Sequence, residues 1–581
     1  MPDSVLNPAE QAAEKALKQM FACIDAGKSF RLEAGAGAGK TYSLIQALVY
    51  LIEKRGSDLL RKHQRVACIS YTNVASDEIA SRIDRHPAIH SSTIHSFCWA
   101  IIKDFQSHLR KEIPNIESWS ERLKEFGKEI AKQKIDYDEF GYRSIDEFHV
   151  SLGHNDVLVL FVKLMEFSKF RTLLVTRFPI IFIDEYQDTD KLIVPALKTY
   201  FLDTGIGPLI GFFGDHWQKI YGTGCGKIEH SALDIIGKES NFRSAPVIVK
   251  MLNRMRPELP QHFKDQNAEG TVAVYHTNDW IGTRLTGQHW ADDLPAEVAG
   301  TYFTALKVRL ESEGWDFLPE NTKILMLTHK VLATEQGYKN LADVFPYNES
   351  FIKKEDSHIA FFVDTLEPVC IAYSNKRFGE MFAALGGHTP AIHSYSDKES
   401  WVKDMDKLLE LRSTDTIGAV LDYLKHTNRP RLTESVQRRG QELEQLWQTP
   451  NDEEPSSITR LRELRKVPYK EVISLSNFIN GYTPFETKHG VKGAEFENVL
   501  VVVGRGWNQY NFNQLLEWAG DLRSIPANKM ETFERNRNLF YVTCSRPKKR
   551  LALLFTQKLT SKALNTLISW FGNEAIHSLL A

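Results

Sequence analysis

The stretch EAGAGAGKTYSL, residues 33–44, decides the fold. Gly39, Lys40 and Thr41 complete the second half of the phosphate-loop pattern, which reads Gly, four residues, then Gly-Lys-Ser/Thr. Ala34 stands where that pattern begins with Gly. A short apolar run ends before the loop and apolar residues at helical spacing follow it, as a strand, a glycine-rich turn and a helix require. The stretch therefore predicts a loop that binds the phosphates of a nucleotide.

The glycine-rich turn is predicted to bind ATP together with Mg²⁺. Backbone N–H groups in such a turn converge on phosphate oxygens, and the start of the following helix adds a favourable dipole. Lys40 is predicted to reach the β- and γ-phosphates, and Thr41 to ligate Mg²⁺. The predicted nucleotide-binding residues of the turn are Ala34, Gly35, Ala36, Gly37, Ala38, Gly39, Lys40 and Thr41. A phosphate loop alone leaves a nucleotide kinase, a transport ATPase and a GTPase open.

The composition indicates a folded chain of several domains. With 581 residues, of which 42% are hydrophobic and 25% charged, roughly three or four domains are expected. No apolar run approaches the roughly 20 residues of a membrane span, and no secretory signal is visible, so we expect a cytoplasmic protein without membrane contact. The six cysteines lack metal-ligand spacing. A net charge of −2 excludes a globally basic surface for nucleic acid but not a local channel.

Short apolar runs alternate with helix-like segments and predict an α/β fold. The predicted strands are residues 65–70, 179–183, 208–213, 323–328, 498–503 and 550–556. This alternation favours parallel sheets with helices on both faces, in two lobes. Two long stretches without the rhythm, 98–178 and 347–476, are predicted to be mainly helical insertions, and 448–457 is a candidate linker. The predicted division is 1–97 with 179–240, 98–178, 241–346 with 477–581, and 347–476.

A second candidate element is IIFIDEYQDT, which begins at Ile180. It puts Asp184 and Glu185 at the end of an apolar strand, where one carboxylate binds a metal ion and the other activates a water molecule beside a γ-phosphate. Two adjacent acids after a strand are also common in a solvated turn, so the pair alone leaves both interpretations open.

The motifs along the chain, taken in order, resemble those of the UvrD-like superfamily 1 helicases, the group that includes UvrD, Rep and PcrA. DEYQDT resembles the DExxQDT motif, and this family commonly begins its phosphate loop with Ala. The other matching segments are YTNVASDEIASRI (71–83), TIHSF (93–97), GDHWQKIYG (214–222), NFRS (241–244), the segment 487–496 and RNLFYVTCSRPKK (537–549). The resemblance implies two RecA-like lobes, 1A and 2A, in the order of the predicted division, with the insertions as 1B and 2B.

The resemblance also implies the roles of individual residues. The catalytic set is Lys40, Asp184, Glu185, Gln218, Arg243 and Arg546. Gln218 is implied to sense the γ-phosphate, and the two arginines to act as arginine fingers. Thr41 and Asp184 are implied to hold Mg²⁺. The remaining nucleotide contacts are implied to be Gln11 and Phe242 at the adenine and Glu495 at the ribose or the lobe interface.

A single-stranded DNA track is implied by the same motifs. The implied contacts are Tyr71, Thr72, Asn73, Thr93, His95, Phe97 and His489, and the implied movement is 3′ to 5′. Three positions depart from the family pattern. Thr223 replaces a Trp that stacks on a base, Val74 replaces a Lys, and Glu10 stands where the adenine-reading Gln is expected, with Gln11 next to it.

The compact insertions and the phrase GFFGDHWQKIYGTG also resemble the GajB-like branch of the Gabija antiphage systems, whose helicase-like subunit works beside an OLD-family nuclease. Two functions therefore stay open. One is an ATP-dependent translocase or helicase on single-stranded or duplex DNA. The other is a DNA-sensing ATPase that regulates a nuclease partner, with little processive unwinding. A small-molecule kinase gives no account of Gln218 and the two arginines.

Overall fold

The structure of the chain is a computed structural model. It describes residues 6–137, 141, 143–220, 222–287, 290–326, 333, 335–345, 349–386, 392–448, 456–486, 494–504 and 510–580. Packing divides the chain into two compact units. Unit 1 consists of Met1–Val272, Gln514–Arg550 and Ser561–Ala575, and unit 2 of Ala273–Asn513, Leu551–Thr560 and Ile576–Ala581.

Unit 1 contains a six-stranded sheet and its covering helices. Its strands are β1 (Phe30–Ala34), β2 (Val66–Ser70), β3 (Ile89–Thr93), β4 (Lys134–Asp136), β5 (Ser144–Ile145), β6 (His149–Ser151), β7 (Ile180–Asp184), β8 (Leu209–Gly214), β9 (Asp234–Lys238), β10 (Ser240–Asn241) and β11 (His262–Phe263). Its first helices are α1 (Pro8–Ala26), α2 (Lys40–Arg61), α3 (Asn73–Arg82), α4 (Ile94–Ile102), α5 (Gln106–Glu112), α6 (Ser120–Phe126), α7 (His154–Met165), α8 (Ser168–Arg177), α9 (Ile193–Leu197) and α10 (Pro246–Met255). Later helices of the unit are Phe512–Gly520, which begins in unit 2, Met530–Cys544 and Ser561–Phe571.

The main sheet of unit 1 is parallel and has the strand order β3-β2-β7-β8-β1-β9. Its inner strands β1, β2, β7 and β8 are buried along their whole length because helices cover both faces, and β1 carries the buried charged residues Arg31 and Glu33. Alternate residues of β7 enter different cores: Ile180 and Phe182 pack on the face that carries α2, and Ile181 and Ile183 on the opposite face. The parallel α/β class and the three strands predicted in this region are confirmed.

The first insertion, predicted over 98–178, is mainly helical but also holds the small sheet β4-β6-β5. Ile135 and Val150 pair across this sheet and are fully buried. The Gln106 side chain binds the backbone of Ile135 through both its amide nitrogen, at 3.0 Å, and its amide oxygen, at 2.9 Å. Helix α5 thereby fixes a strand whose three residues are too few to give a sequence signal.

Unit 2 contains most of a second six-stranded sheet, with the order β14-β13-β15-β16-β12-β17. Its strands are β12 (Thr271–His276), β13 (Thr322–Met326), β14 (Phe485–Glu486), β15 (Phe496–Val503), β16 (Pro547–Phe555) and β17 (Ile576–Ser578). Its helices are Ala296–Ser312, Lys339–Val344, Glu349–Ile352, Ser357–Phe361, Glu367–Ser374, Phe378–Leu385, Tyr395–Thr414, Ile417–Thr427, Glu434–Gln448, Ser456–Lys466 and Lys470–Ile479. The α/β class predicted for the second lobe and the helical class predicted for its insertion are confirmed.

Helices of the predicted second insertion share one core with the sheet of unit 2. Inside this core Arg412 pairs with the buried Glu367, which also accepts a hydrogen bond from Tyr469 at 2.9 Å. The predicted linker 448–457 lies largely outside the described residues. Among the helices that the structure describes, none has the length and apolar character that crossing a membrane requires.

The two compact units follow packing and do not coincide with the predicted lobe boundaries. Residues 241–272, together with most of 514–575, pack within unit 1, although the sequence analysis assigns them to the second lobe. The four-domain division remains a prediction. For the site, the consequence is that Lys40, Glu185, Arg243 and Arg546 all belong to the same compact unit.

Candidate functional site

The predicted phosphate loop joins β1 to α2, and its glycines have a structural cause. Gly37 and Gly39 have φ angles of 75° and 74°, which favour glycine. A Cβ atom on Gly35 would lie 2.7 Å from Gln261 Nε2, so a side chain there would displace this amide from its hydrogen bonds to Ala36 O and Ser240 O. Ala34 is the last residue of β1 and is buried in the sheet. The loop therefore keeps its turn without a glycine at position 34.

Residues 240–243 and Gln261 hold the loop from outside. The backbone N–H of Phe242 donates to Gly37 O at 2.8 Å, and Asn241 Nδ2 donates to Ala36 O at 3.1 Å. Gln261 Nε2 donates to the same Ala36 O at 3.2 Å. These contacts hold the loop by its carbonyl groups. An anion site of this kind binds its ligand with the backbone N–H groups, so contacts that fix the loop in advance have to use other groups.

Lys40 and Glu185 form a tight ion pair in which Lys40 Nζ lies 2.6 Å from Glu185 Oε2. Burial would lower the pKa of Lys40, but the carboxylates of Glu185 and Asp184 outweigh it and raise this pKa above its ordinary value. The amine is therefore charged at all pH values near neutrality. The structure thus brings together the loop lysine and the acidic pair, which the sequence separates by 143 residues or more.

The acidic pair lies at the carboxyl end of β7, on a turn with unusual backbone geometry. Glu185 has a φ of 48°, a left-handed conformation that few non-glycine residues adopt. Its N–H donates to Asp184 Oδ1 at 3.0 Å, and Gln187 Nε2 donates to Glu185 Oε2 at 2.5 Å. Gln187 Oε1 in turn accepts from the N–H of Asp215 at 3.1 Å. The motif glutamine therefore ties the β7 turn to the β8 turn.

Gln218 and Arg546 meet beside this pair. Arg546 is 1% exposed, and its Nη2 donates to Gln218 Oε1 at 3.3 Å. Gln218 Nε2 donates to Asp215 Oδ2 at 2.8 Å, so the amide bridges a carboxylate and a guanidinium. Burial and the neighbouring Arg243 lower the pKa of Arg546, while Glu185 opposes this shift. Two guanidinium groups thus lie close together where an additional anion would be stabilised.

Arg256 lies beneath the site and belongs to none of the sequence motifs. Its Nη1 is 2.6 Å from Asp215 Oδ1 and its Nη2 is 3.2 Å from Glu33 Oε1, and all three side chains are buried. Glu33, Asp215 and His216 bring three potential metal ligands within 4.8 Å of one another. Because Arg256 donates to both carboxylates, this cluster is an ion-pair network.

Glu33 is a charged centre of that network. His216 Nδ1 lies 2.5 Å from Glu33 Oε1, and Tyr186 donates its hydroxyl to Glu33 Oε2 at 2.7 Å. Burial would raise the pKa of Glu33, but these hydrogen bonds and the charge of Arg256 hold it below its ordinary value of 4.5. The carboxylate at the end of β1 is therefore ionised and helps to fix the turns after β7 and β8.

The predicted DNA contacts lie along the same edge of the sheet. Tyr71 follows β2, Thr93 ends β3, and the register pairs Ser70 with Thr93. Next in the sheet is β7, which ends at Asp184. Since carboxyl ends of parallel strands share one edge, the candidate contacts and the acidic pair are neighbours.

The individual predicted contacts differ in exposure. Tyr71 is 42% exposed, and Thr72 and Asn73 beside it are exposed as well. Thr72 and Thr93 are the N-caps of α3 and α4. His95 is partly buried against the ring of His154, with 5.2 Å between ring centroids. Burial and the His154 charge lower the pKa of His95.

Phe97 requires a correction. It is 2% exposed and packs edge-on against Phe178, with 5.2 Å between the ring centroids. Because α4 turns this position into the core, the ring does not lie at the surface where a strand could stack on it. His489, another predicted contact, lies outside the described residues.

The remaining predicted nucleotide contacts fall in different places. Phe242 is 39% exposed and lies near Gly39. The exposed Tyr42, which is not among the predicted site residues, also lies near Gly39. Glu10 forms a capping box with Asn7, which leaves Gln11 as the exposed amide on the first turn of α1. Glu495 belongs to unit 2, next to β15, and its role stays a prediction.

Comparison with known proteins agrees with these motifs. The model of the UvrD/REP helicase N-terminal domain matches residues 14–149 and 121–230. The Gabija protein GajB of Bacillus cereus is 23% identical, over 94% of this chain and 96% of its own length. The ATP-dependent DNA helicase Rep of Buchnera aphidicola is 20% identical, over 90% of each chain. The ATP-dependent DNA helicase PcrA of Staphylococcus epidermidis is 21% identical, over 94% of this chain and 84% of its own.

The resemblance inferred from the motifs is therefore confirmed. It extends beyond the motif segments to nearly the whole chain. Residues 14–230 match the model of the UvrD/REP helicase N-terminal domain, and the chain as a whole is similar to UvrD-like proteins, with GajB, Rep and PcrA among its relatives.

Proposed function

We propose that this chain is an ATP-dependent DNA translocase or helicase that moves 3′ to 5′ on single-stranded DNA. The observation that carries the proposal is the meeting of Lys40, Glu185, Gln218 and Arg546 in one compact unit, with Arg546 Nη2 3.3 Å from Gln218 Oε1. A small-molecule kinase gives no account of this contact between Arg546 and the motif residue Gln218.

The nucleotide-binding residues fit ATP with Mg²⁺. The turn of residues 35–39 has the backbone that an anion site needs, and Lys40 would bind phosphate oxygens in place of Glu185. The Thr41 hydroxyl and the Asp184 carboxylate are ligands of the type that Mg²⁺ prefers, and the ion supplies neutralisation of phosphate charge. Phe242 and Gln11 would contact the adenine. Tyr42 is a further candidate for this contact because it lies beside Gly39 on the exposed side.

Hydrolysis would depend on four side chains around the phosphates. Glu185, once released from Lys40, would orient a water molecule and accept its proton. Arg243 and Arg546 would stabilise the charge that develops on the transferred phosphoryl group, which is worth about 10³ to 10⁵ in rate for an arginine finger. Gln218 would link Arg546 to the β8 turn, since its amide contacts both Arg546 and Asp215.

Single-stranded DNA would cross the edge formed by the ends of β2 and β3. Tyr71 offers an exposed ring for base stacking, Asn73 and Thr93 offer hydrogen-bonding groups, and His95 offers a ring that is neutral near pH 7. The proximity of this edge to Asp184, one strand away, supports coupling of strand binding to hydrolysis. A cytoplasmic location is part of the same proposal.

A second candidate function is a DNA-sensing ATPase that regulates an OLD-family nuclease in antiphage defence, with little processive unwinding. The similarity to the Gabija protein GajB, which covers 94% of this chain and 96% of that protein, favours it. This function would use the same catalytic residues, so the ATP site does not separate the two candidates.

The decisive experiment compares ATP hydrolysis with and without single-stranded DNA and adds strand displacement on duplexes with a 3′ or a 5′ tail. A motor hydrolyses ATP faster with DNA and displaces the strand of the 3′-tailed duplex. A sensor shows the stimulation without displacement. DNA-independent hydrolysis would contradict both candidates and support a kinase-like activity. Lys40→Ala should abolish hydrolysis while DNA binding remains, and Lys250→Ala, on the exposed face of α10, is the matched control.

A further inference from the structure

Lys238 is a buried lysine next to the phosphate loop. It ends β9, pairs in register with Ala34 at the end of β1, and is fully buried. Its Nζ donates to Gly39 O at 2.9 Å and to Ser43 Oγ at 2.7 Å. The ring of Tyr42 covers it, with 5.7 Å from Nζ to the ring centroid. The lysine thus holds the first turn of α2 from behind.

No carboxylate of the described residues lies within 4.0 Å of Lys238 Nζ, although its amine has three N–H donors. The nearby charged groups on the packed elements are engaged elsewhere. On β1, Glu33 binds His216 and Arg256, and on α2, Lys40 binds Glu185.

On α1, Glu10 caps its own helix, and Glu14 pairs with Lys18 at 2.7 Å. Glu239, which follows Lys238 in the chain, forms no ion pair with it in the part of the chain that the structure describes. Lys238 is therefore a buried cation with hydrogen bonds to neutral oxygen atoms alone.

Such an arrangement has an energetic consequence. Burial disfavours the charged amine and lowers the pKa of Lys238 to about 8. A neutral side chain of similar length could fill the same space at less cost, so packing alone does not account for a lysine here. Lys238 contacts the phosphate loop and the first turn of α2. An anion bound on this loop would therefore compensate the positive charge of Lys238.

We infer that Lys238 is a positioning residue of the nucleotide site: its charge holds the first turn of α2 and strengthens the binding of a nucleotide polyphosphate on the loop. This inference rests on the proposed function. It adds a cation that none of the motifs contains. Lys238 would act through Gly39, Ser43 and the electric field at the loop, without touching the reacting atoms.

The test measures the dissociation constant of a fluorescent ATP analogue with Mg²⁺ between pH 7.5 and pH 9.5, for full-length wild type, Lys238→Met and Lys238→Arg. Bound phosphates should raise the pKa of Lys238, so wild-type affinity should fall about fivefold to tenfold over this range as the amine loses its proton. Lys238→Met should bind about tenfold more weakly at pH 7.5, with no such pH dependence. Lys238→Arg should keep the affinity and also lose the pH dependence, because arginine stays charged.

Thermal unfolding without nucleotide gives an independent readout. The folded-state pKa of Lys238 is lower than its ordinary value of 10.5, so the unfolded chain binds more protons between pH 8 and pH 10.5. The melting temperature of wild type, relative to that of Lys238→Met, should therefore rise with pH across this window. Lys250→Met, which removes an exposed lysine, should track wild type in both assays.

The outcomes separate this inference from the proposed function. If wild type binds the analogue and Lys238→Met binds equally well at pH 7.5, or keeps the wild-type pH dependence, Lys238 has only a structural role and the inference is overturned. If wild type itself does not bind the analogue, or if Lys40→Ala binds it as wild type does, the proposed nucleotide site is wrong.

Discussion

Replacing Glu185 by Gln should separate nucleotide binding from hydrolysis. The substitution keeps the length of the side chain and removes the negative charge that pairs with Lys40 at 2.6 Å. The Glu185 side chain is 27% exposed, and Asp184 still faces Lys40, so the loss of this pair should cost about 1 kcal/mol of stability or less. Nucleotide affinity should be equal or higher, because no carboxylate at position 185 then competes with phosphate for the Lys40 amine.

Turnover should change in the opposite direction. A general base contributes about 10² to 10⁴ in rate, which corresponds to about 3 to 5 kcal/mol of barrier. Single-turnover hydrolysis of radiolabelled ATP, measured beside the dissociation constant of the fluorescent analogue, resolves the two effects. Glu166→Gln, which removes an exposed carboxylate at the end of α7, is the control for net charge. Turnover of Glu185→Gln within threefold of wild type would refute the role of Glu185 as base.

The same geometry gives four further predictions. Arg546→Ala should slow hydrolysis by about 10³ to 10⁵ in single-turnover assays and change nucleotide affinity little, so a defect confined to binding would contradict the arginine finger. Tyr71→Ala should weaken single-stranded DNA binding by about 1 to 3 kcal/mol with an unchanged melting temperature, whereas Phe97→Ala should cost about 3 to 5 kcal/mol of stability; the reverse pattern in titration and melting experiments would contradict the assignment of these rings. The lowered pKa of Glu33 contributes stability that is fully present above its ordinary pKa of 4.5 and is lost as the pH falls below it, so Glu33→Gln should flatten the acid side of the melting-temperature profile. Arg256→Met should lower the free energy of unfolding by about 3 to 5 kcal/mol, because the buried Asp215 loses its paired guanidinium while Glu33 keeps Arg31 at 3.2 Å, and an unchanged denaturation midpoint would count against this network.

The sheets could be predicted from the sequence because their inner strands are buried on both faces. Residues 180–183 of β7 and 499–503 of β15 form continuous apolar runs of β-branched and other large side chains, which are typical of buried strands. The helical insertions were predictable as a class for the same reason, since they lack such runs. The small sheet β4-β6-β5 was not predictable, because its strands of two or three residues depend on contacts with α5 and with one another.

Other parts of the site depend on contacts between segments that are distant in sequence. Arg256 and Gln261 lie in RPELPQHF, a segment with no recognisable motif, and they contact Asp215 and Ala36 in a fold in which β11, at the end of this segment, pairs with β10. The prediction for Phe97 differs from the structure for another reason. Its motif predicts a nucleic-acid contact, but the start of α4 at Ile94 fixes which face of the helix it occupies, and that face points to the core.

The phosphate loop shows how the structure explains a pattern that the sequence only displays. A glycine is favoured where φ is positive, at Gly37 and Gly39, or where a side chain would displace a hydrogen-bonded neighbour, as it would displace the Gln261 amide at Gly35. Position 34 meets neither condition, because Ala34 is extended in β1, opposite Lys238 in register. A methyl group there fills the core instead of the anion site. Alanine in place of glycine at position 34 is therefore compatible with the geometry of the loop. The lysine on the adjacent strand β9, Lys238, is not part of the phosphate-loop motif, so the motif alone does not reveal it.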